Sequence, residues 1–98
     1  MSGLREDYGI LIDLMILDVL EGRSMSGYGV IQEVHERQHI LISPSTLYPI
    51  LARLEGEGLI SSSIGKGSGG KNYSLTYRGR KILEKMRMSL AKIRREKN

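Results

Sequence analysis

Apolar positions recur along this chain in two rhythms, and the change between them falls at Gly58. Before it the period is helical. Leu4 to Glu21 carries Leu14, Met15, Ile16, Leu17, Val19 and Leu20, which leaves little polar face. A helix of that kind needs cover on two sides, its own core on one and a partner subunit on the other. Gly22 is the natural stop. Ser24 to Gly27 reads as a turn, and Ser26 can cap a second helix starting near Gly27, with Tyr28, Ile31 and Val34 as its stripe. Ile40 to Ile42 is a very short strand or an extended link. Ser43-Pro44 then opens a third helix, where a hydroxyl can cap and proline suits the first turn. Its stripe is Leu47, Ile50, Leu51 and Leu54, at i, i+3, i+4 and i+7. Pro49 removes one backbone bond and predicts a tightened or kinked first turn. Gly56 and Gly58 end this helix.

Beyond Gly58 the period drops to two. Leu59–Ile64 and Lys71–Leu75 are short strand candidates around a glycine-rich tip, 65–70, and together they read as a hairpin. With Lys66 and Lys71 beside it, that hairpin reads as a wing whose backbone and cations can meet phosphates; the plainer reading is a mobile surface loop. A phosphate-binding P-loop is excluded by the spacing. Thr76 is placed to cap a last helix that runs to about Lys97. Ile82, Met86, Leu90 and Ile93, with Leu83 adjacent, form a stripe longer than so small a domain can cover. The stripe therefore predicts a dimerisation helix.

Length and composition narrow the class. At 98 residues the chain is one domain with a small core. It has no Cys, so disulfides and thiolate metal sites are excluded, and a reducing cytoplasm is the expected location. The longest apolar run, Ile10 to Leu20, is broken by Asp13 and Asp18, so no signal peptide or membrane span is expected. The net charge of +4 is unevenly spread. Residues 1–75 carry 6 Lys/Arg against 9 acids, or −3, whereas 76–98 carry 9 against 2, or +7. DNA affinity would then depend on a few placed cations, on helix N-termini or on the C-terminal segment. Arg78, Arg80, Lys81, Lys85, Arg87, Lys92, Arg94 and Arg95 could touch DNA or only decorate a solvated face.

Helical rotation puts Ser45, Pro49 and Ala52 of the third helix opposite its apolar stripe, with Tyr48 and Arg53 on the flanks. A small, hydroxylated, nearly uncharged surface of that kind can enter a DNA groove and offer hydrogen bonds to base edges. His35-Glu36-Arg37-Gln38-His39 matches the HExxH pattern of zinc peptidases, with Glu57 conceivable as a third ligand. The helix is expected to end near His39, and the remaining pattern leaves no cleft. Two surface imidazoles are the better reading, with no metal and no cofactor. Tyr28 and Tyr73 are more simply half-buried core rings than phosphate contacts. Tyr48, off the stripe, favours a surface role.

The order helix, helix, helix, hairpin, helix is that of a winged helix-turn-helix, mainly α with a small β-hairpin and an added C-terminal dimerisation helix. It divides into residues 1–75, with the wing at 65–71, and 76–98. The chain resembles the PadR family of transcriptional regulators. The likeness rests on Leu17-Asp18-Val19-Leu20, on Ser26-Gly27-Tyr28-Gly29-Val30-Ile31, on Ser43 to Leu51 through Leu54 to Ile60, and on Tyr73 to Gly79. Thr46-Leu47-Tyr48-Pro49 is its most specific block. Members commonly have His-Gly-Tyr-Glu where this chain has Ser26-Gly27-Tyr28-Gly29, and bulkier, more basic wings; the short last helix resembles the compact branch. The resemblance implies a homodimer on a palindromic DNA site, usually as a repressor. Ser45, Thr46, Tyr48, Pro49 and Arg53 would read bases; Tyr28, Lys66 and Lys71 would position the backbone. Leu14, Ile82, Leu83, Met86, Leu90 and Ile93 are the dimerisation residues. Some members release DNA on binding a small molecule; without Phe, Trp or a sensor domain, none is predicted here. The competing classes are a sequence-tolerant architectural DNA protein and a winged-helix protein-interaction module, and salt dependence with site discrimination separates the three.

Overall fold

The structure, a computed structural model, describes the backbone of residues 2–65 and 70–96 and the side chains of 9–65 and 70–95. Helix α1 spans Ser2–Val19, strand β1 Met25–Ser26, helix α2 Gly27–Gln38 and helix α3 Pro44–Gly56. Strands β2, Ile60–Ile64, and β3, Lys71–Leu75, precede helix α4, Tyr77–Glu96. The strands form one antiparallel sheet in the order β1-β3-β2. Tyr73 pairs with Met25 on one side and Ser62 on the other, and Ile64 faces Lys71 at the far end of the hairpin.

One hydrophobic core holds these elements together. It takes Ile16, Leu17 and Val19 from α1 with Leu20 just beyond it, Val30 and Val34 from α2, and Leu47, Leu51 and Leu54 from α3. Ile60 and Tyr73 come from the sheet and Leu83 from α4. Each fully buried leucine contributes about 1.5–3 kcal/mol. Leu83 corrects an expectation: at 0% exposure it has no surface to offer a second chain and serves its own core. Tyr73, at 6%, is a core ring as well.

The punctuation explains the boundaries. Ser26 caps α2 by accepting from the Gly29 amide at 3.0 Å. His39 ends that helix in the left-handed conformation, φ 58°, and its amide returns to the His35 carbonyl. Residues 40–43 are an extended link rather than a strand, with Ile42 buried and Leu41 exposed. Ser43 does not cap α3 through its side chain. Its hydroxyl lies instead 3.1 Å from the hydroxyls of Ser45 and Thr46, while its carbonyl accepts from both the Thr46 and Leu47 amides. The first turn is therefore tightened, and the helix continues through Pro49. Gly58, at φ 76°, closes α3: its amide reaches the Glu55 carbonyl and the Leu59 amide the Leu54 carbonyl, both at 3.0 Å. This is a Schellman motif with glycine where a Cβ would be strained.

The same turn receives α4. The Thr76 hydroxyl accepts from the Gly79 amide at 2.9 Å and donates to the Gly58 carbonyl at 2.7 Å. Gly79 lies so close to the Leu59 carbonyl that a Cβ there would stand 2.0 Å from it. The tail of α3 and the head of α4 thus share one anchor. The two-residue β1 was not expected, because Ser24–Gly27 reads locally as a turn. It exists by pairing with a strand almost 50 positions away.

Candidate nucleic-acid interface

Burial turns α3 so that one side faces the core and the other faces solvent. Leu47, Leu51 and Leu54 are completely covered, while Ser45, Thr46, Tyr48, Pro49, Ala52 and Arg53 are exposed. The hydroxyls of Ser43, Ser45 and Thr46 make a short chain across the helix N-terminus. Pro49 deprives the Ser45 carbonyl of its usual i+4 donor, which leaves acceptor capacity on the exposed side. Such a surface can give and accept hydrogen bonds and add an apolar contact from Pro49, the combination that base edges in a major groove require.

Tyr48 is half exposed and rests on α2: a Cβ at Gly27 would fall 2.6 Å from its hydroxyl oxygen. The ring occupies the space that any larger residue at position 27 would claim. Tyr28, the next residue, is 66% exposed at the start of α2, so the core-ring reading fails for it. The two tyrosines therefore flank the junction of α2 and α3. Lys71 is exposed at the first position of β3, and the Gly65 amide bonds the Gly70 carbonyl beneath the hairpin tip. Lys66 lies outside the described residues.

Arg53 sits further along α3, with its charge engaged. Its Nη2 donates to Asp13 Oδ1 at 2.6 Å, and its Nη1 lies 3.4 Å from Glu57 Oε1. The bond to Asp13 holds the guanidinium even more firmly protonated than usual, against a smaller opposing effect of burial. On α4, Arg87 is likewise taken up, by Asp18 and by Glu21 at 2.9 and 3.1 Å, so this cation is bound within the fold. Lys81 stacks over the Tyr77 ring and approaches Glu84. Arg78, Arg80, Lys85, Lys92, Arg94 and Arg95 are exposed.

A second feature lies between α1 and α4. An open, mostly apolar groove of about 640 Å³ has Ile10, Leu11 and Leu14 on one side and Ile82, Met86, Leu90 and Ile93 on the other. Ile10 and Ile93 are more than half exposed. Five of the six residues expected to pair two chains, Leu14, Ile82, Met86, Leu90 and Ile93, meet here. Ile10 and Leu11 were not singled out, although they extend the same apolar run of α1. The HExxH motif does not hold its geometry, since His39 has left the helix that carries His35. Among the described residues no group of three or more His, Asp or Glu is arranged for a metal. No described helix is long and apolar enough to cross a membrane.

Two contacts were not read from the sequence. The seating of Tyr48 on Gly27 had no local signal. The Asp13–Arg53 pair had one: an acid set in an apolar helix needs a partner.

Residues 16–85 match the transcriptional regulator PadR-like family. The chain is 34% identical over 95 residues to the transcriptional regulator Rv3488 of Mycobacterium tuberculosis, covering 95% of this chain and 88% of that one. Among solved structures, a PadR family transcription regulator from Clostridium difficile is 33% identical with a TM-score of 0.78, covering 86% of this chain and 91% of that one. A PadR-like transcription factor from Bacteroides fragilis superposes at a TM-score of 0.89 with 21% identity, over 98% of this chain and 95% of that one, and supports the fold. The chain therefore belongs to the PadR-like family of transcriptional regulators, DNA-binding proteins rather than enzymes.

Proposed function

We propose that the chain acts as a homodimeric repressor on a palindromic operator. In this reading α3 enters the major groove and Ser45, Thr46, Tyr48 and Pro49 face base edges. Tyr28 and Lys71, with Lys66 of the wing, meet flanking phosphates. The observation that carries it is the division of α3 between a fully covered leucine side and an exposed side without net charge apart from the paired Arg53. A second copy is supported by the apolar groove between α1 and α4, since a chain of this size rarely leaves such a groove in water. The reading requires that two-fold pairing through that groove set the two α3 helices about one duplex turn apart, roughly 34 Å.

The test is selection of duplexes from a random pool, with the oligomeric state measured by sedimentation. The expected result is an enriched inverted repeat bound by a dimer. Specific binding is expected to exceed random binding by about 10³ or more, with a salt slope near −0.9 per phosphate contact. A steep slope without discrimination would make the protein architectural. Neither property, with a monomer at micromolar concentration, would overturn the reading. Repression is tested by placing the selected site across a promoter; increased transcription would reverse the assigned sign.

A further inference from the structure

Arg53 looks from its position like a fifth reader, yet its surroundings suit another role. Asp13 stands in an otherwise apolar stretch of α1 with its side chain 19% exposed. A carboxylate so placed needs a partner. Arg53 supplies it from α3, 40 positions along the chain, and Glu57 holds the other arm of the guanidinium. Among the described residues this is the one ion pair between α1 and α3; both helices pack against α2, α1 also against α4 and α3 also against β2.

The space beneath the pair is not solidly filled. An open depression of about 480 Å³ lies there, with Asp13 of α1, Leu54 of α3, Glu57 just beyond α3, and Arg78, Ile82 and Met86 of α4 among its lining residues. Where side chains do not interlock, packing alone fixes the angle between two helices poorly. A bonded guanidinium spanning the gap can fix it. Resting on the assignment of α3 as the reading helix, we propose that Arg53 is a positioning residue: by bonding Asp13 of α1 beside this depression it sets the angle at which α3 presents Ser45 to Pro49, and it does not itself touch DNA.

The test compares the unmodified protein with Asp13→Asn, Arg53→Gln and the double variant. Binding is measured on a selected duplex and on a random one over a range of salt, and amide exchange is followed in α3 without DNA. The expected result is that each single change weakens selected-site binding about fivefold. The double variant is then no weaker than either single one, the salt slope is unchanged, and the Leu51 to Leu54 amides exchange faster. A phosphate contact predicts the reverse. Arg53→Gln would lower the slope by about 1, and Asp13→Asn would tighten binding by removing a negative charge, with α3 exchange unaltered. That set of results overturns the proposal. If the unmodified protein fails to discriminate between duplexes, the DNA-reading assignment falls. The link between helices is then decided by exchange alone: faster in Asp13→Asn supports it, unchanged sinks it.

Discussion

A missing side chain does as much at the interface as the groups that are present. Gly27 has no Cβ, and the ring of Tyr48 lies where one would be. Gly27→Ala would force the far end of that ring to move, which a half-exposed tyrosine can do without disturbing the core beneath it. The expected outcome is a thermal midpoint lowered by a few degrees at most, about 1 kcal/mol or less, with selected-site affinity reduced about tenfold, near the effect of Tyr48→Ala. Calorimetry and a binding titration on the same preparation separate the two quantities. A large stability loss would show that Tyr48 is a packing residue first. Tyr28 lacks any such seat, and its exposure follows from standing on the outer side of a short helix whose Val30 and Val34 face inward.

Between elements, ion pairs join α4 to the rest of the fold. Arg87 bridges to Asp18 at the end of α1 and to Glu21 in the turn after it, and Arg37 of α2 approaches Asp18 from the other side. The hydrogen bond from Arg87 holds the Glu21 carboxyl below its ordinary value of 4.5, outweighing a small opposing effect of burial. A depressed carboxyl stabilises the fold above the unfolded value and loses that contribution as pH falls through the folded one. Acid titration of stability is therefore expected to steepen below about pH 4.5. Arg87→Met keeps the apolar stem but removes the partner, so its acid loss is expected to be shallower than that of the unmodified protein. Both sides are largely exposed, so the difference at neutral pH is small, at most about 1 kcal/mol. Equilibrium unfolding in urea between pH 3 and 7 checks both points, and parallel curves for the two proteins would remove Glu21 from the account.

Much of this level was legible beforehand. Helical spacing located α3 and its buried leucines, period two located β2 and β3, and Thr76 and Ser26 cap as their residue types suggest. What escaped depends on distant partners. A two-residue β1 has no pattern of its own, Ser43 bonds hydroxyls rather than an amide, and Leu83 is indistinguishable from Ile82 until the helix is rotated onto the core. The outer face of α3 could be listed residue by residue from rotation alone. The diversion of Arg53 to Asp13 could not, because rotation within one helix says nothing of what stands opposite.

For the whole molecule, the dimensions 50 × 27 × 25 Å describe an elongated particle, and its apolar groove runs between the first and last helices. A charge placed in that groove is the sharpest test of pairing, because Leu90 and Ile93 are exposed in the single chain and contribute little to its own core. Leu90→Glu with Ile93→Glu is expected to leave the secondary structure and unfolding midpoint nearly unchanged. It should yield a monomer by sedimentation and reduce affinity for an inverted repeat by about 10² or more, since two linked contacts become one. Dimer persistence in that variant would place the interface elsewhere.

The anchor formed by Thr76, Gly58 and Leu59 ties the end of the piece that would touch bases directly to the start of the piece that would clasp a twin. Such a molecule behaves as a fixed gauge: inserting one base pair between operator arms shifts the second arm by about 3.4 Å along the axis and swings it by about a tenth of a turn. Operators lengthened by a single step are expected to lose most of the benefit of twofold grip, whereas lengthening by a full turn is not expected to restore it.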